Sequence, residues 1–93
     1  MRLGWTRIAI RDLIDIRCYI AEDNPHAARS VAQHILAAAD GLLEHPEMGR
    51  LGRIRGTREL VISQTPYILV YRLRRKQVQV LRVRVLHGRR LWP

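Results

Sequence analysis

A chain of 93 residues, 47% of them hydrophobic, is long enough for one small folded core and too short for two, so residues 1–93 are predicted to form a single domain. Its formal net charge of +9 predicts attraction to polyanions, and nucleic acid, an acidic protein segment and a membrane surface are all candidates on charge alone. The lone cysteine excludes a disulfide framework, and no apolar run approaches the roughly 20 residues that a membrane span needs.

The first half of the chain predicts a short strand followed by two helices. Residues 2–5 are compatible with a strand, and Thr6 fits a helix N-cap because its hydroxyl can accept from a free N–H of the first turn. Asn24 and Pro25 form a second start signal, an N-cap followed by proline at the first helical position. The short connection predicts an antiparallel helical hairpin. The apolar residues at helical spacing are Ala9, Leu13, Ile16 and Ile20 in the first helix, and Ala28, Val31, Ile35, Ala38 and Leu42 in the second.

The loop over residues 45–56 carries three glycines and three arginines. It is either a mobile loop that faces a ligand or a solvated connector that is basic by composition, and the residues alone leave both interpretations open.

The last third of the chain predicts three short strands, because strand-forming residues alternate there with polar ones. Since side chains alternate between the two faces of a strand, each strand has an apolar face and a mixed or basic one. Over 67–74 the first face holds Tyr67, Leu69, Tyr71 and Leu73, and the second holds Ile68, Val70, Arg72 and Arg74. Over 78–86 one face holds Leu81, Val83 and Val85, and the other holds Arg82 and Arg84. The predicted fold is α+β, in the order β-α-α-β-β-β, with an antiparallel sheet and the two-helix hairpin packed on one face.

Charge is distributed unevenly along the chain. Residues 50–93 hold twelve Lys and Arg against one acidic residue, Glu59, for a net +11, whereas residues 1–49 hold five against seven, for a net −2. The first half is therefore expected to act as a scaffold, and the second half to present a surface to an acidic partner.

Compartment and cofactor follow from what the sequence lacks. The N-terminal residues have no uninterrupted apolar stretch of the kind found in signal peptides, so the protein is expected in the cytoplasm, without a membrane partner. Neither a glycine-rich phosphate loop nor a metal-binding motif occurs, so no metal and no cofactor are expected.

Landmarks spread along the chain resemble those of the ParE/RelE superfamily of type II toxins. Each is weak singly, but their order and spacing together are specific. They are Ala9, Asp12-Leu13 and Ile16 in the first helix, Ala28 in the second, Leu43, Pro46 and Gly49-Arg50 in the loop, then Thr57 to Leu60, Pro66-Tyr67, Tyr71-Arg72, Leu81 to Val83, Leu86-His87, Arg89-Arg90 and Trp92.

The resemblance implies a small toxin that a co-expressed antitoxin holds inactive. RelE-like members of the superfamily cut mRNA on the ribosome, whereas ParE-like members poison DNA gyrase and cut nothing themselves. Residues 84–93 are close to ParE-type tails, and Ile68 stands where RNA-cutting members typically carry an arginine. The expected target is therefore DNA gyrase. The alternatives are a ribosome-dependent mRNA endoribonuclease and a binding module without toxicity.

The C-terminal tail carries the candidate target-contacting residues, which are His87, Arg89, Arg90 and Trp92. An imidazole near neutrality can act as general acid or base, and arginines can stabilise a pentavalent phosphate, so a nuclease would use His87, Arg89 and Arg90. Such a nuclease needs a second acid–base group, and Glu59 is the lone carboxylate of residues 50–93. The alternative is structural, with His87 hydrogen-bonded to the last strand and Trp92 covering the sheet edge. We therefore expect no catalytic residue.

The antitoxin is expected to be ParD-like, with a ribbon-helix-helix N-terminus and an acidic tail. Strand parity and charge predict that it covers one face of the sheet, where apolar side chains lie beside basic ones. The predicted antitoxin-binding residues are Arg58, Ile68, Val70, Arg72, Arg82 and Arg84. Tyr67 and Tyr71 are expected in the core rather than as stacking platforms.

Overall fold

The computed structural model describes residues 1–86 and contains, within them, two helices and one five-stranded sheet. The strands are β1 (Arg2–Trp5), β2 (Arg50–Leu51), β3 (Arg58–Val61), β4 (Tyr67–Arg74) and β5 (Gln77–Val85), and the helices are α1 (Arg7–Ala21) and α2 (Pro25–Gly41). The helical hairpin packs on one face of the sheet, here called the inner face, and the opposite face is called the outer face. The predicted α+β class with its N-terminal helical hairpin is confirmed.

Strand order in the sheet is β1-β5-β4-β3-β2. The prediction of antiparallel pairing holds from β2 to β5 and differs at β1, which lies parallel to β5 with Arg2 opposite Gln77 and Trp5 opposite Val80. Parallel neighbours need a long crossover, which the helices and strands between β1 and β5 provide. The second difference is β2, a two-residue strand inside the basic loop that pairs with β3.

Both helices begin at the predicted caps. The Thr6 hydroxyl accepts a hydrogen bond from the Ala9 N–H at 3.0 Å, and the Asn24 side chain accepts one from the Ala27 N–H at 3.0 Å, with Pro25 at the start of α2. The Thr6 hydroxyl also donates to the Leu81 carbonyl at 3.0 Å, so this cap ties α1 to β5 as well. Each of these side chains, one threonine and one asparagine, satisfies one of the free N–H groups that every helix start exposes.

The core lies between the hairpin and the inner face of the sheet. Its members are Ala9 from α1, Ile35, Ala39 and Leu42 from α2 and the segment after it, Ile62 after β3, and Tyr67, Leu69, Tyr71, Val78, Val80 and Val83 from the two longest strands. Both tyrosines are therefore core residues, as predicted. Alanines at the helix contacts allow the helical hairpin to approach the sheet closely.

A β-bulge interrupts the pairing of β4 with β5. Val70 lies opposite Arg82 and Tyr71 lies opposite Val80, so Leu81 is an extra residue without a partner. The bulge changes the parity of β5, which is why Val80 and Val83 are both buried in the core although they stand three positions apart, an odd offset that an unbroken strand would place on opposite faces. Val80 therefore occupies the core position opposite Tyr71, whereas Leu81, which an unbroken alternation would pair with Val83 in the core, is only half-buried.

Candidate binding surfaces

The apolar side chains predicted to bind the antitoxin are not accessible on the outer face. Ile68 is 2% exposed and Val70 is 8% exposed. Both belong to β4, which has paired strands on either side, so Val61 and Arg84 flank Ile68 while Glu59 and Arg82 flank Val70. Burial among cross-strand neighbours corrects the expectation that these two side chains are exposed.

Arg58 lies on the opposite side of the sheet from Arg72. Its cross-strand partner is Tyr71, a core residue of the inner face. Its Nη1 donates to the Gly49 carbonyl at 2.7 Å and to the Glu47 carbonyl at 3.3 Å. The expectation that Arg58 shares a basic face with Arg72 is thus wrong in its geometry, because β3 presents this residue toward the loop that precedes it.

Tyr71 fixes the same loop from the core. Its hydroxyl donates to the Pro46 carbonyl at 2.8 Å and accepts from the Gly49 N–H at 2.9 Å. A Cβ added at Gly49 would lie 2.8 Å from the Tyr71 hydroxyl oxygen and 3.0 Å from the Glu59 carbonyl oxygen, so only glycine fits there. The sequence alone did not decide whether this loop is mobile. The structure shows that its first half is anchored to the core through Tyr71.

The second core tyrosine is a poor candidate for chemistry. Burial raises the pKa of the Tyr67 phenol, and the neighbouring Tyr19 phenol adds to the effect. A phenol with a raised pKa stays protonated at neutral pH, which agrees with a packing role.

Glu59 is engaged by the basic loop. Its side chain is 8% exposed, and its carboxylate lies 3.5 Å from Arg50 Nη2 and 3.9 Å from Arg53 Nε. It also accepts from the Arg53 backbone N–H at 3.3 Å. These contacts hold the second half of the loop against β3. The Glu59 carboxylate therefore has a structural role, as the acceptor and ion-pair partner of two loop arginines.

Arg82 is paired with a helix residue that sequence reasoning missed. Its guanidinium donates to the Asp12 carboxylate through Nε at 2.8 Å and Nη2 at 3.2 Å, and the pairing raises the Arg82 pKa. The same carboxylate accepts from the Val83 N–H at 2.9 Å, next to the bulge. Asp12 therefore joins α1 to the edge of β5. The one sign in the sequence that Asp12 has such a role is that it is among the residues that resemble the ParE/RelE superfamily.

A basic cleft opens beside the turn between β4 and β5, with a volume of about 410 Å³. Two of its residues, Arg72 and Gln79, are opposite each other in the sheet, and the Arg72 Nε donates to Gln79 Oε1 at 2.7 Å. The lining residues are Arg2, Arg72, Arg74, Arg75, Lys76, Gln77 and Gln79. Arg72 is the one predicted antitoxin-binding residue in this cleft. Arg84 lies away from the cleft. Its partner on β4 is Ile68, which is four residues before Arg72, so Arg84 and Arg72 are separated by roughly 13 Å along the strand direction.

An apolar cleft of about 350 Å³ lies at the other edge of the sheet, between α2 and β3. Beyond β2, which pairs with Arg58 and Glu59, the rest of β3 has no strand on that side among residues 1–86. The side chain of Met48 is 54% exposed at the cleft. The lining residues are His34, Ala37, Ala38, Gly41, Met48, Leu60, Val61, Ile62 and Ser63. Sequence reasoning missed this cleft, because α2 and β3 are joined by the irregular loop.

The predicted target-contacting residues His87, Arg89, Arg90 and Trp92 lie outside the described residues. Within residues 1–86, no group of three His, Cys, Asp or Glu side chains is arranged to hold a metal ion. Neither helix of that part of the chain is long and apolar enough to cross a membrane.

Comparison with known proteins gives a consistent set of relatives. The family described as "ParE toxin of type II toxin-antitoxin system, parDE" matches residues 3–92. "Putative toxin Y4kP" of Sinorhizobium fredii is 46% identical over 92 residues, which cover 99% of this chain and 93% of that protein. "Toxin RelE2" of Caulobacter vibrioides is 41% identical over 87 residues, which cover 94% of each.

The fold has a solved counterpart as well. A structure described as "Chromosomal ParDE TA system from P. aeruginosa" superposes with a TM-score of 0.83 at 29% sequence identity. The match covers 94% of this chain and 97% of that one, so the two structures share nearly their full length.

Proposed function

Because the chain belongs to the ParE toxin family of type II toxin–antitoxin systems, we propose that it acts on DNA gyrase, which it binds and traps on cleaved DNA. A co-expressed antitoxin holds it inactive until the antitoxin is lost. In this proposal the toxin is a binding protein and carries out no chemistry of its own.

The observation that carries the proposal is the centre of the outer face. RNA-cutting members of the superfamily typically carry an arginine at the position of Ile68, which here is 2% exposed. Glu59 lies opposite Val70 beside this centre, and its carboxylate is engaged by Arg50 and Arg53. Among residues 1–86, the outer face thus offers no free acid–base pair for RNA cleavage, which supports binding over catalysis.

The tail, residues 87–93, is proposed to contact the target. Arg89 and Arg90 supply charged forks and Trp92 supplies a large aromatic surface, and these residue types carry much of the binding energy at protein interfaces. His87 is proposed as a contact residue, with no proton transfer that depends on it.

The antitoxin is proposed to be ParD-like and to use two features of the described fold. Its acidic segment pairs with the exposed Arg84 side chain on the outer face. Its apolar segment occupies the apolar cleft, because Ile68 and Val70 are too buried to serve as anchors. The solved ParDE system of P. aeruginosa, similar in fold, supports an antitoxin as the partner.

The test pairs two assays on purified toxin, DNA supercoiling by gyrase and cleavage of mRNA on translating ribosomes. We expect inhibited supercoiling with accumulation of cleaved DNA and no mRNA cleavage. Removal of residues 87–93 is expected to abolish inhibition while leaving the thermal unfolding midpoint and antitoxin binding largely intact. His87→Ala is expected to retain inhibition within about threefold, since a lost contact costs far less than a lost catalytic group.

A second result would replace the proposal. One relative carries the name RelE2, so the ribosome assay has a specific alternative to detect. Ribosome-dependent cleavage with unaffected gyrase, abolished by His87→Ala, establishes the endoribonuclease instead.

A further inference from the structure

We propose that the basic cleft beside the β4–β5 turn binds the phosphodiester backbone of nucleic acid, independently of base sequence. The cleft is built from β1, β4, β5 and the turn, and its lining contains four arginines, one lysine and two glutamines. It lies at the opposite edge of the sheet from the apolar cleft. The proposal concerns direct contact with nucleic acid and does not depend on gyrase being the target.

The five cations of the cleft are not neutralised by any carboxylate in the described part of the chain, residues 1–86. Elsewhere, Arg11, Arg50, Arg53 and Arg82 each have a carboxylate within 4.0 Å. None of the cleft cations has such a partner among residues 1–86, and no acidic residue lines the cleft. Like charges held together without counter-charges repel one another, and a bound polyanion relieves that repulsion.

The sheet fixes where these side chains stand. Gln77 lies between Arg2 and Arg74 in the register, and Gln79 lies between Gly4 and Arg72. The amide end of the Gln77 side chain lies in the space beside Gly4 that a Cβ would otherwise occupy.

Arg72 is oriented by a neutral partner. Its Nε donates to Gln79 Oε1 at 2.7 Å, and its two terminal amino groups donate to no residue among 1–86. A guanidinium held in this way keeps its charge and its outward donors available for phosphate oxygens, which suit the planar fork.

The turn places a strained arginine at the rim. Arg75 has a φ of 54°, in the left-handed region where glycine or asparagine is favoured and an arginine is uncommon. Its side chain lines the cleft. An arginine kept at the cost of backbone strain is the pattern expected where the side chain has a function.

The lining favours nucleic acid over an acidic protein segment. Protein partners take much of their affinity from apolar and aromatic anchors, and the cleft has none among its lining residues. Phosphate contacts need only cations and N–H donors, which arginine, lysine and glutamine side chains supply. A peptide finds its anchoring surface at the apolar cleft instead.

The test compares two variants of the full chain with equal charge. Arg74→Gln with Lys76→Gln removes two exposed cleft cations, and Arg17→Gln with Arg29→Gln removes two exposed helix cations, so each changes the formal net charge from +9 to +7. The probes are a short fluorescent DNA duplex and a single-stranded RNA of the same sequence, titrated by anisotropy at several salt concentrations. Thermal unfolding checks that both variants are folded.

The cleft variant is expected to bind about tenfold more weakly, with the slope of log affinity against log salt reduced by roughly 1.8 for duplex DNA, or about 0.9 per lost phosphate contact. The helix variant is expected to keep its slope. A third variant, Arg74→Lys with Lys76→Arg, conserves the charge of the cleft and is expected to bind as tightly as the unchanged protein. Preference for the duplex or for the RNA identifies which nucleic acid supplies the backbone.

Three results overturn the proposal. If the helix variant weakens as much as the cleft variant, the attraction reflects net charge alone. If polyglutamate binds the cleft as tightly as nucleic acid does, with the same sensitivity to the cleft variant, the ligand is an acidic protein segment. Gyrase inhibition without nucleic-acid binding by the toxin would reject the nucleic-acid site while leaving the proposed function in place. Nucleic-acid binding at the cleft without gyrase inhibition would reject the proposed function and leave this site in place.

Discussion

At the scale of single residues, the side chains that hold the loop together are in the core. Tyr71 is fully buried, yet its hydroxyl reaches two backbone groups of the loop. A buried hydrogen bond contributes modestly when it is made, but leaving its partners unpaired costs more. The stability of the protein should therefore be sensitive to the loss of this one phenolic oxygen, which anchors the first half of the loop.

Tyr71→Phe is expected to lower the free energy of unfolding by about 2 kcal/mol, since the Gly49 N–H and the Pro46 carbonyl both lose their partner. Chemical denaturation followed by circular dichroism measures the change. Tyr67→Phe is the matched control, because among residues 1–86 no hydrogen bond of the Tyr67 hydroxyl is found, and about 0.5 kcal/mol or less is expected. Equal losses in the two variants would contradict this role for Tyr71.

The individual residues also show what the sequence could and could not predict. The two core tyrosines and both helix caps follow from local rules of spacing and hydrogen bonding. Asp12 does not, because its partners on β5 are some 70 residues away and no local rule connects them. The face of Arg58 and the burial of Ile68 depend on how β3 and β4 pair with their neighbouring strands, which the sequence does not state.

At the scale of elements, β5 illustrates why a periodic pattern can be misinterpreted. Val78 and Val80 occupy even positions and Val83 and Val85 odd ones, and the phase changes at the adjacent apolar pair Val80-Leu81. A period of two cannot accommodate that change without an extra residue, and the bulge at Leu81 is the result. The change of phase was the signal available, and reading the strand as one unbroken alternation missed it.

The two helix caps differ in what they connect, which gives a prediction. Thr6→Ala is expected to cost about 2 kcal/mol, because the hydroxyl caps α1 and also donates to the Leu81 carbonyl of β5. Asn24→Ala is expected to cost about 1 kcal/mol, because its exposed side chain caps α2 alone. Thermal and denaturant unfolding compare the two. A larger loss for Asn24→Ala would show that the bond to β5 contributes nothing.

At the scale of the whole molecule, two surfaces of different character are separated by the sheet. The apolar cleft lies beside α2 and β3, and the basic cleft lies beside β1, β4 and β5. A partner that recognises one edge can therefore bind without covering the other. This arrangement allows antitoxin and nucleic acid to be tested as separate ligands.

Ala37→Glu is expected to weaken binding of the cognate antitoxin at least tenfold, or about 1.4 kcal/mol, because it puts a charge in the apolar cleft. The neighbouring residue gives the control: Leu36→Glu makes the same charge change on the same helix, at an exposed side chain outside the cleft. Calorimetric titration of each purified variant with antitoxin provides the measurement. Comparable weakening by both variants would exclude the apolar cleft as the docking site.

The parallel pairing of β1 with β5 sets when, during synthesis, the sheet can be completed. Thr6, the residue after β1, and Leu81 of β5 are joined by a hydrogen bond and are 75 residues apart in sequence. A ribosome adds roughly 5–20 residues per second, so β1 waits several seconds without its neighbour strand while the intervening residues are made. Until β5 emerges, β4 also lacks the partner that pairs along its whole length. The sheet of each newly made toxin is therefore incomplete until residues 77–85 have been made, which gives an antitoxin already present in the cell time to meet it.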